Sequence, residues 1–338
     1  MVTLRTFIAA ALIAAVFAAP AMSQAHVAAS ITYEETPRPQ GLPDDLQPWP
    51  DVNLRFLSIT AIDGFKVVAA LWQPLAKPAS STTLLVQVHG SGGNLASVQM
   101  RATARALSAQ GFAALSISTR QHDQHVNTDN FFEIRRDIEA AITTAKALGY
   151  RAIVLQGQSL GSAQVAFYAA TDWDLMIKGV ILTGAVAKLA WTARHIHVQD
   201  EDAYRALARA AREALRAGRP EGKLPISMLW IGGHWVPVTG QHFLTYRDEA
   251  ASAADTTFWI ARIPRPILLV RDAADSVIQP FEPYLLLSAA RAEGSLVPDI
   301  RYVRLPNSRP PSVEGHTFAQ NTGPLAETIA SWLAERGL

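Results

Sequence analysis

The chain has 338 residues, 49% hydrophobic and 17% charged, with a net charge of +1 and no cysteine. That balance suits one large α/β domain or two modest ones and argues against a nucleic-acid partner or an acidic tail. The missing cysteines exclude a disulfide framework, a thiol nucleophile and a lipid-modified cysteine, so stability must rest on packing.

Residues 1–25 read as a secretory signal peptide. Arg5 makes a weakly positive start, residues 8–19 are an unbroken apolar run, and small residues at Ala19, Ala21, Ser23 and Ala25 suit cleavage. The run is shorter than the roughly 20 residues that span a membrane. The expectation is a cleaved leader, no stable membrane anchor, and a periplasmic or secreted protein. Residues 26–53 carry Pro37, Pro39, Pro43, Pro48 and Pro50 and read as an extended segment wrapping the surface. The main domain is expected over 54–338.

Two strands, 55–61 and 65–73, are joined through Asp63-Gly64, a hairpin signal. A buried strand at 83–89, a helix at 95–110 stopped by Gly111, and a strand at 112–118 follow. The helix at 130–148 has Asn130 and Glu133 at capping-box spacing and an apolar stripe of Phe131, Ile134, Ile138, Ile142 and Ala145. A strand at 151–156, a helix at 162–170 and a strand at 178–183 continue the rhythm. It breaks over about 185–263, read as a cap insertion with one helix at 200–217. A strand at 266–271, a helix at 281–292, a strand at 300–305 and a helix at 325–336 complete the chain. This alternation predicts an α/β fold, a mostly parallel sheet with helices on both faces and an antiparallel hairpin at one edge. Ligands of such sheets bind at the carboxyl ends of the strands.

Between the strand at 151–156 and the helix at 162–170 stands Gly157-Gln158-Ser159-Leu160-Gly161. A serine in a tight strand–helix turn has its hydroxyl pushed out above the sheet, the arrangement of a nucleophile elbow. A hydroxyl needs a base, commonly a histidine oriented by a carboxylate, in the chain order serine, acid, histidine. Beyond the last acid-bearing strand the histidine is His316, in the loop before the final helix. Asp272 and Asp275 both follow the strand at 266–271. Asp275 is preferred because it has cleared the sheet edge; Asp272 is the rival. The oxyanion of a tetrahedral intermediate needs backbone donors. Leu160, directly after the serine, and Ser91, in the glycine-rich His89-Gly90-Ser91-Gly92 loop, are assigned that role.

On these elements the chain resembles the α/β-hydrolase superfamily and its bacterial esterase- and lipase-like serine hydrolases. The resemblance covers residue 54 to the end, the cap excepted, and departs from many relatives at Gln158, where they carry histidine, and at Asp272, where glycine is common. It implies an eight-stranded, mostly parallel sheet, no cofactor, and a small-molecule ester or thioester as substrate.

Other features are weaker. His122, His125, His195 and His197 are paired in sequence but lack the pattern of a metal site, and none is assigned. His122 and His125 are candidates for the rim of the site. Trp230, Trp235, Phe243 and Trp259 could line an acyl pocket or simply fill the cap. Asp200, Glu201 and Asp202 could bind a substrate amine, as an amide- or peptide-cleaving enzyme would require, or serve the dipole of their helix. A non-catalytic ligand-binding member of the fold is the remaining alternative.

Overall fold

The computed structural model describes residues 30–229 and 235–338. The leader expected over 1–25 lies outside the described residues. In chain order the strands are β1 (Thr32–Thr36), β2 (Val52–Thr60), β3 (Lys66–Pro74), β4 (Thr83–Val88), β5 (Ala113–Ser118), β6 (Ala152–Gln158), β7 (Ile177–Thr183), a short pair β8 (Met228–Leu229) and β9 (Trp235–Val236), then β10 (Ile267–Asp272) and β11 (Ile300–Leu305). The helices are α1 (Val98–Ala109), α2 (Ile134–Ala147), α3 (Leu160–Thr171), α4 (Leu189–Thr192), α5 (Glu201–Arg216), α6 (Gly240–His242), α7 (Thr256–Ile260), α8 (Glu282–Ala290), α9 (Val313–His316) and α10 (Thr322–Ala334).

Among the described residues nine strands form the main sheet, in the order β1-β2-β3-β5-β4-β6-β7-β10-β11. β1, β2 and β3 pair antiparallel, and β3 also runs antiparallel to β5; from β5 to β11 the strands are parallel. The count exceeds the expected eight because β1 comes from the proline-rich segment read as a plain lead-in. Its sequence, TYEET, is mostly exposed and has no apolar face to betray a strand. The hairpin between β2 and β3 is as expected, with Gly64 at φ +84° and Ala61 N–H donating to the Phe65 carbonyl at 2.9 Å.

β4, β5 and β10 are buried along their whole length, as parallel strands covered on both faces must be. Their alternation feeds two cores. Leu84 and Val86 join Ile134, Ile138 and Leu286 from α2 and α8, while Leu85 joins Leu107, Ile329 and Trp332 from α1 and α10. Each such aliphatic side chain contributes roughly 1.5–3 kcal/mol of transfer free energy. The predicted stripe on α2 is buried throughout. Its capping box is only half made. The Asn130 side chain accepts from Phe132 N–H, but the Glu133 carboxylate lies 3.4 Å from Arg120, because a buried guanidinium nearby competes for it.

Between β7 and β10 the chain builds α4 to α7 and a small core of its own, centred on Tyr204, Leu207, Met228 and Phe243. The main sheet reverses direction of winding at β4: its successor β5 lies on one side and β6 on the other. Such a switch opens a crevice at the carboxyl ends of the two strands. The loop after β4 and the turn after β6 meet there.

Candidate active site

Ser159 occupies the turn between β6 and α3 with φ +53° and ψ −121°. A non-glycine residue held in that region stores on the order of 1–3 kcal/mol of strain. The neighbours enforce it. Ser159 N–H donates to the Thr183 carbonyl on β7 at 2.9 Å, and β6 and α3 pack so closely that a Cβ on Gly157 would stand 2.3 Å from the Gly161 carbonyl oxygen. The result is a half-buried serine between two buried residues, Gln158 and Leu160.

The structure brings His316 and Asp275 together. His316 Nδ1 lies 3.0 Å from Asp275 Oδ2, and both side chains are almost fully buried. Asp275 Oδ1 also accepts from the amides of Val277 (2.8 Å) and Ile278 (3.0 Å). Burial works to raise its pKa, but the imidazole and those two amides outweigh it and hold the carboxyl below its usual range. The two loops are stitched by backbone: Ser312 N–H donates to Ala274 O at 2.8 Å and Ser276 N–H to Ser312 O at 3.3 Å. Ser312 also caps α9, its hydroxyl accepting from Gly315 N–H. Asp272 faces elsewhere. It accepts from Ala274 N–H (2.7 Å), Asn307 Nδ2 (3.0 Å) and Asn321 Nδ2 (2.7 Å), tying the strand end to the last loop.

A carboxylate on Nδ1 leaves Nε2 as the basic nitrogen of a neutral His316. Its hydrogen-bond partner among the described residues is the Gln158 side-chain amide, 3.4 Å from Nε2 and 3.4 Å from the His316 carbonyl. The Ser159 hydroxyl makes no hydrogen bond among the described residues. Both Ser159 and His316 nevertheless line one cavity of about 350 Å³. Val98, Met100 and Val313 supply its apolar wall, and Ser91 and Gln99 add polar groups.

Ser91 and Leu160 both border this region with backbone N–H groups that have no acceptor among the described residues. Leu160 opens α3, where amides lack intrahelical partners. The Ser91 loop is held by His89, which the sequence reading passed over. Its Nδ1 lies 2.7 Å from the Gly90 carbonyl and its Nε2 accepts from Thr119 N–H at 3.0 Å. Burial lowers the pKa of His89 to about 4, so the ring stays neutral and can do both. Gly90 lets the loop press against the elbow: a Cβ there would lie 2.4 Å from Gln158 Oε1 and 2.9 Å from Ser159 Cβ.

The alpha/beta hydrolase fold family matches residues 83–310, two-thirds of the sequence. The chain belongs to the alpha/beta hydrolase fold family. No curated protein matches it closely enough in sequence to count as a relative. Among solved structures it is similar to Est1E from Butyrivibrio proteoclasticus with ferulic acid bound, at 19% identity and a TM-score of 0.59, over 81% of this chain and 96% of that one. It is also similar to the esterase domain of a Rhodothermus marinus protein (20% identity, TM-score 0.56, 83% and 98% covered). A third is the monoacylglycerol lipase of Paleococcus ferrophilus (15%, 0.54, 80% and 99%).

Within this hydrolase fold the readings left open above divide. Among the described residues, none between β7 and β10 lines the Ser159 cavity. Phe243 is buried in the small core there, Trp259 packs on Phe167 with its indole N–H on Ala253 O, and Trp235 is 61% exposed. Trp230 lies outside the described residues. Nor do His122 and His125 reach the cavity. Their loop buttresses the Ser91 loop from outside, with Asp123 N–H donating to Gly93 O at 3.3 Å. Of the acids at the start of α5, Asp200 caps the helix and Glu201 pairs with Arg194 and Arg205. Gln158, noted above only as a departure from relatives, has its amide against the imidazole. A long polar side chain beside the serine was the available signal.

Proposed function

We propose that this alpha/beta hydrolase is an exported serine hydrolase that cleaves carboxylic esters, with thioesters as the nearest alternative. Ser159 is the nucleophile, His316 the general base and acid, and Asp275 the group that orients the imidazole. The observation that carries the reading is the constellation at the elbow: a strained, half-buried serine sharing one cavity with a histidine whose far nitrogen is held by a buried carboxylate. The names of two similar solved structures, an esterase domain and a monoacylglycerol lipase, support esters as the substrate class. Export rests on the apolar leader read from the first 25 residues.

In the reaction, substrate in the cavity brings the Ser159 hydroxyl onto His316 Nε2, displacing the weak contact with Gln158. Such bonds commonly tighten only in the Michaelis complex. Oγ attacks the carbonyl carbon as Nε2 takes its proton. The oxyanion is received by the Leu160 and Ser91 amides, aided by the positive end of α3. Nε2 returns the proton to the departing alcohol, leaving an acyl-serine. Water, activated by the same nitrogen, releases the acid and restores the serine. The test is hydrolysis of short p-nitrophenyl esters by wild type and Ser159→Ala. The variant is expected to lose at least about 10³-fold in kcat. Equal rates would refute the proposal.

A further inference from the structure

A second cavity lies behind the acid loop, between β11 and α8. It measures about 460 Å³ and shares no lining residue with the cavity at Ser159. Arg271 and Arg304 line it, with Tyr284, Tyr302, Ser276 and Gln279.

The two arginines are register partners across the parallel pair β10–β11, so their side chains leave the sheet on the same face. Like charges placed opposite one another across strands are destabilising. Neither is neutralised. Arg271 is only 6% exposed, and its Nη2 donates to the carbonyls of Asp275 (2.9 Å) and Ile278 (3.0 Å), while its Nε is buried without a partner. Arg304 makes no hydrogen bond or ion pair among the described residues. The carboxylates nearby are already used. Asp275 is committed to His316 and two amides, and Glu282 on α8 accepts from the amides of Ala187 and Gln279. A nearly buried guanidinium without a counter-charge is costly, and an anion would relieve it.

The walls indicate what kind of anion. Tyr284 and Tyr302 stand edge to face with centroids 6.1 Å apart, and Tyr284 is 61% exposed. Rings so placed favour a flat apolar body, and a guanidinium pair suits a carboxylate. We propose that this cavity is a second ligand site, for a small aromatic carboxylate held by Arg271 and Arg304. The proposal does not depend on Ser159 being a nucleophile. A ligand here would touch the guanidinium that holds the carbonyls of Asp275 and Ile278.

Calorimetric titration with benzoate and with its neutral analogue benzamide tests it, on wild type and on Arg304→Gln, an exposed position whose change should leave the fold intact. Benzoate is expected to bind in the millimolar range or tighter, with benzamide at least about tenfold weaker and Arg304→Gln costing about tenfold. A crystal soaked in 4-bromobenzoate should show bromine between β11 and α8. No heat at millimolar benzoate, equal affinity in the variant, or bromine confined to the Ser159 cavity would each overturn the site.

Discussion

Asp272 and Asp275 differ in what they hold, and two substitutions separate them. Asp275→Asn places an amide donor against His316 Nδ1 and favours the wrong tautomer, so kcat is expected to fall by about 10⁴-fold with the fold retained. Asp272→Ala orphans donors from Asn307, Asn321 and Ala274 and should cost about 2–4 kcal/mol in urea denaturation with kcat within about tenfold of wild type. The reverse pattern would give Asp272 the acid role. That Asp275 rather than Asp272 would meet His316 was legible from loop position, since a carboxylate at the last residue of a strand is still within the sheet. The roles of His89 and Gln158 were not legible, because they depend on the Gly90 loop lying against the elbow. Only long-range packing reveals that contact.

Among the elements, the turn from β6 to α3 and the short helix α9 decide the geometry. The elbow was readable because its pentapeptide must sit between an apolar strand and a helix, and both are local patterns. The position of α9 was not, because it is set by backbone pairing of Ser312 with Ala274 and Ser276, far away in sequence. Gly315 marks how tight that pairing is: a Cβ there would lie 2.3 Å from the Ala274 carbonyl oxygen. Gly315→Ala must therefore push α9 away from the acid loop. A displacement of that kind is expected to lower kcat/KM by about 10²-fold. Full activity in the variant would show that the pairing does not position His316. At the same scale β1 was missed, since a mostly exposed edge strand carries no alternating apolar signal.

At the scale of the whole molecule, stability depends on histidines kept neutral in the interior. Burial lowers the pKa of His89 and His242 to about 4 and that of His197 to about 3. The unfolded chain takes up these protons near the ordinary histidine value of about 6.5. The folded protein takes them up only near the lowered values. The contribution of each is therefore complete above pH 6.5 and is lost as pH falls toward its lowered value, on the order of 3 kcal/mol at most for His89 and His242 and about 5 kcal/mol at most for His197. The urea midpoint should fall between pH 7 and pH 5; a flat or rising midpoint would contradict neutral burial. The sheet itself was the most legible feature at this scale, since parallel strands buried on both faces must be written as continuous apolar runs. Where the substrate sits was less so. Aromatic residues between β7 and β10 suited a pocket or a filled cap, and among the described residues Phe243 packs in the small core, Trp259 packs on α3 and Trp235 faces solvent.

Reaction of the folded protein with a fluorophosphonate, followed by mass mapping of the adduct, tests the nucleophile most directly. The expected result is one stoichiometric adduct on the peptide containing Ser159, absent from Ser159→Ala. An adduct on a different residue, or none on folded protein at a concentration that labels a control serine hydrolase, would contradict the assignment.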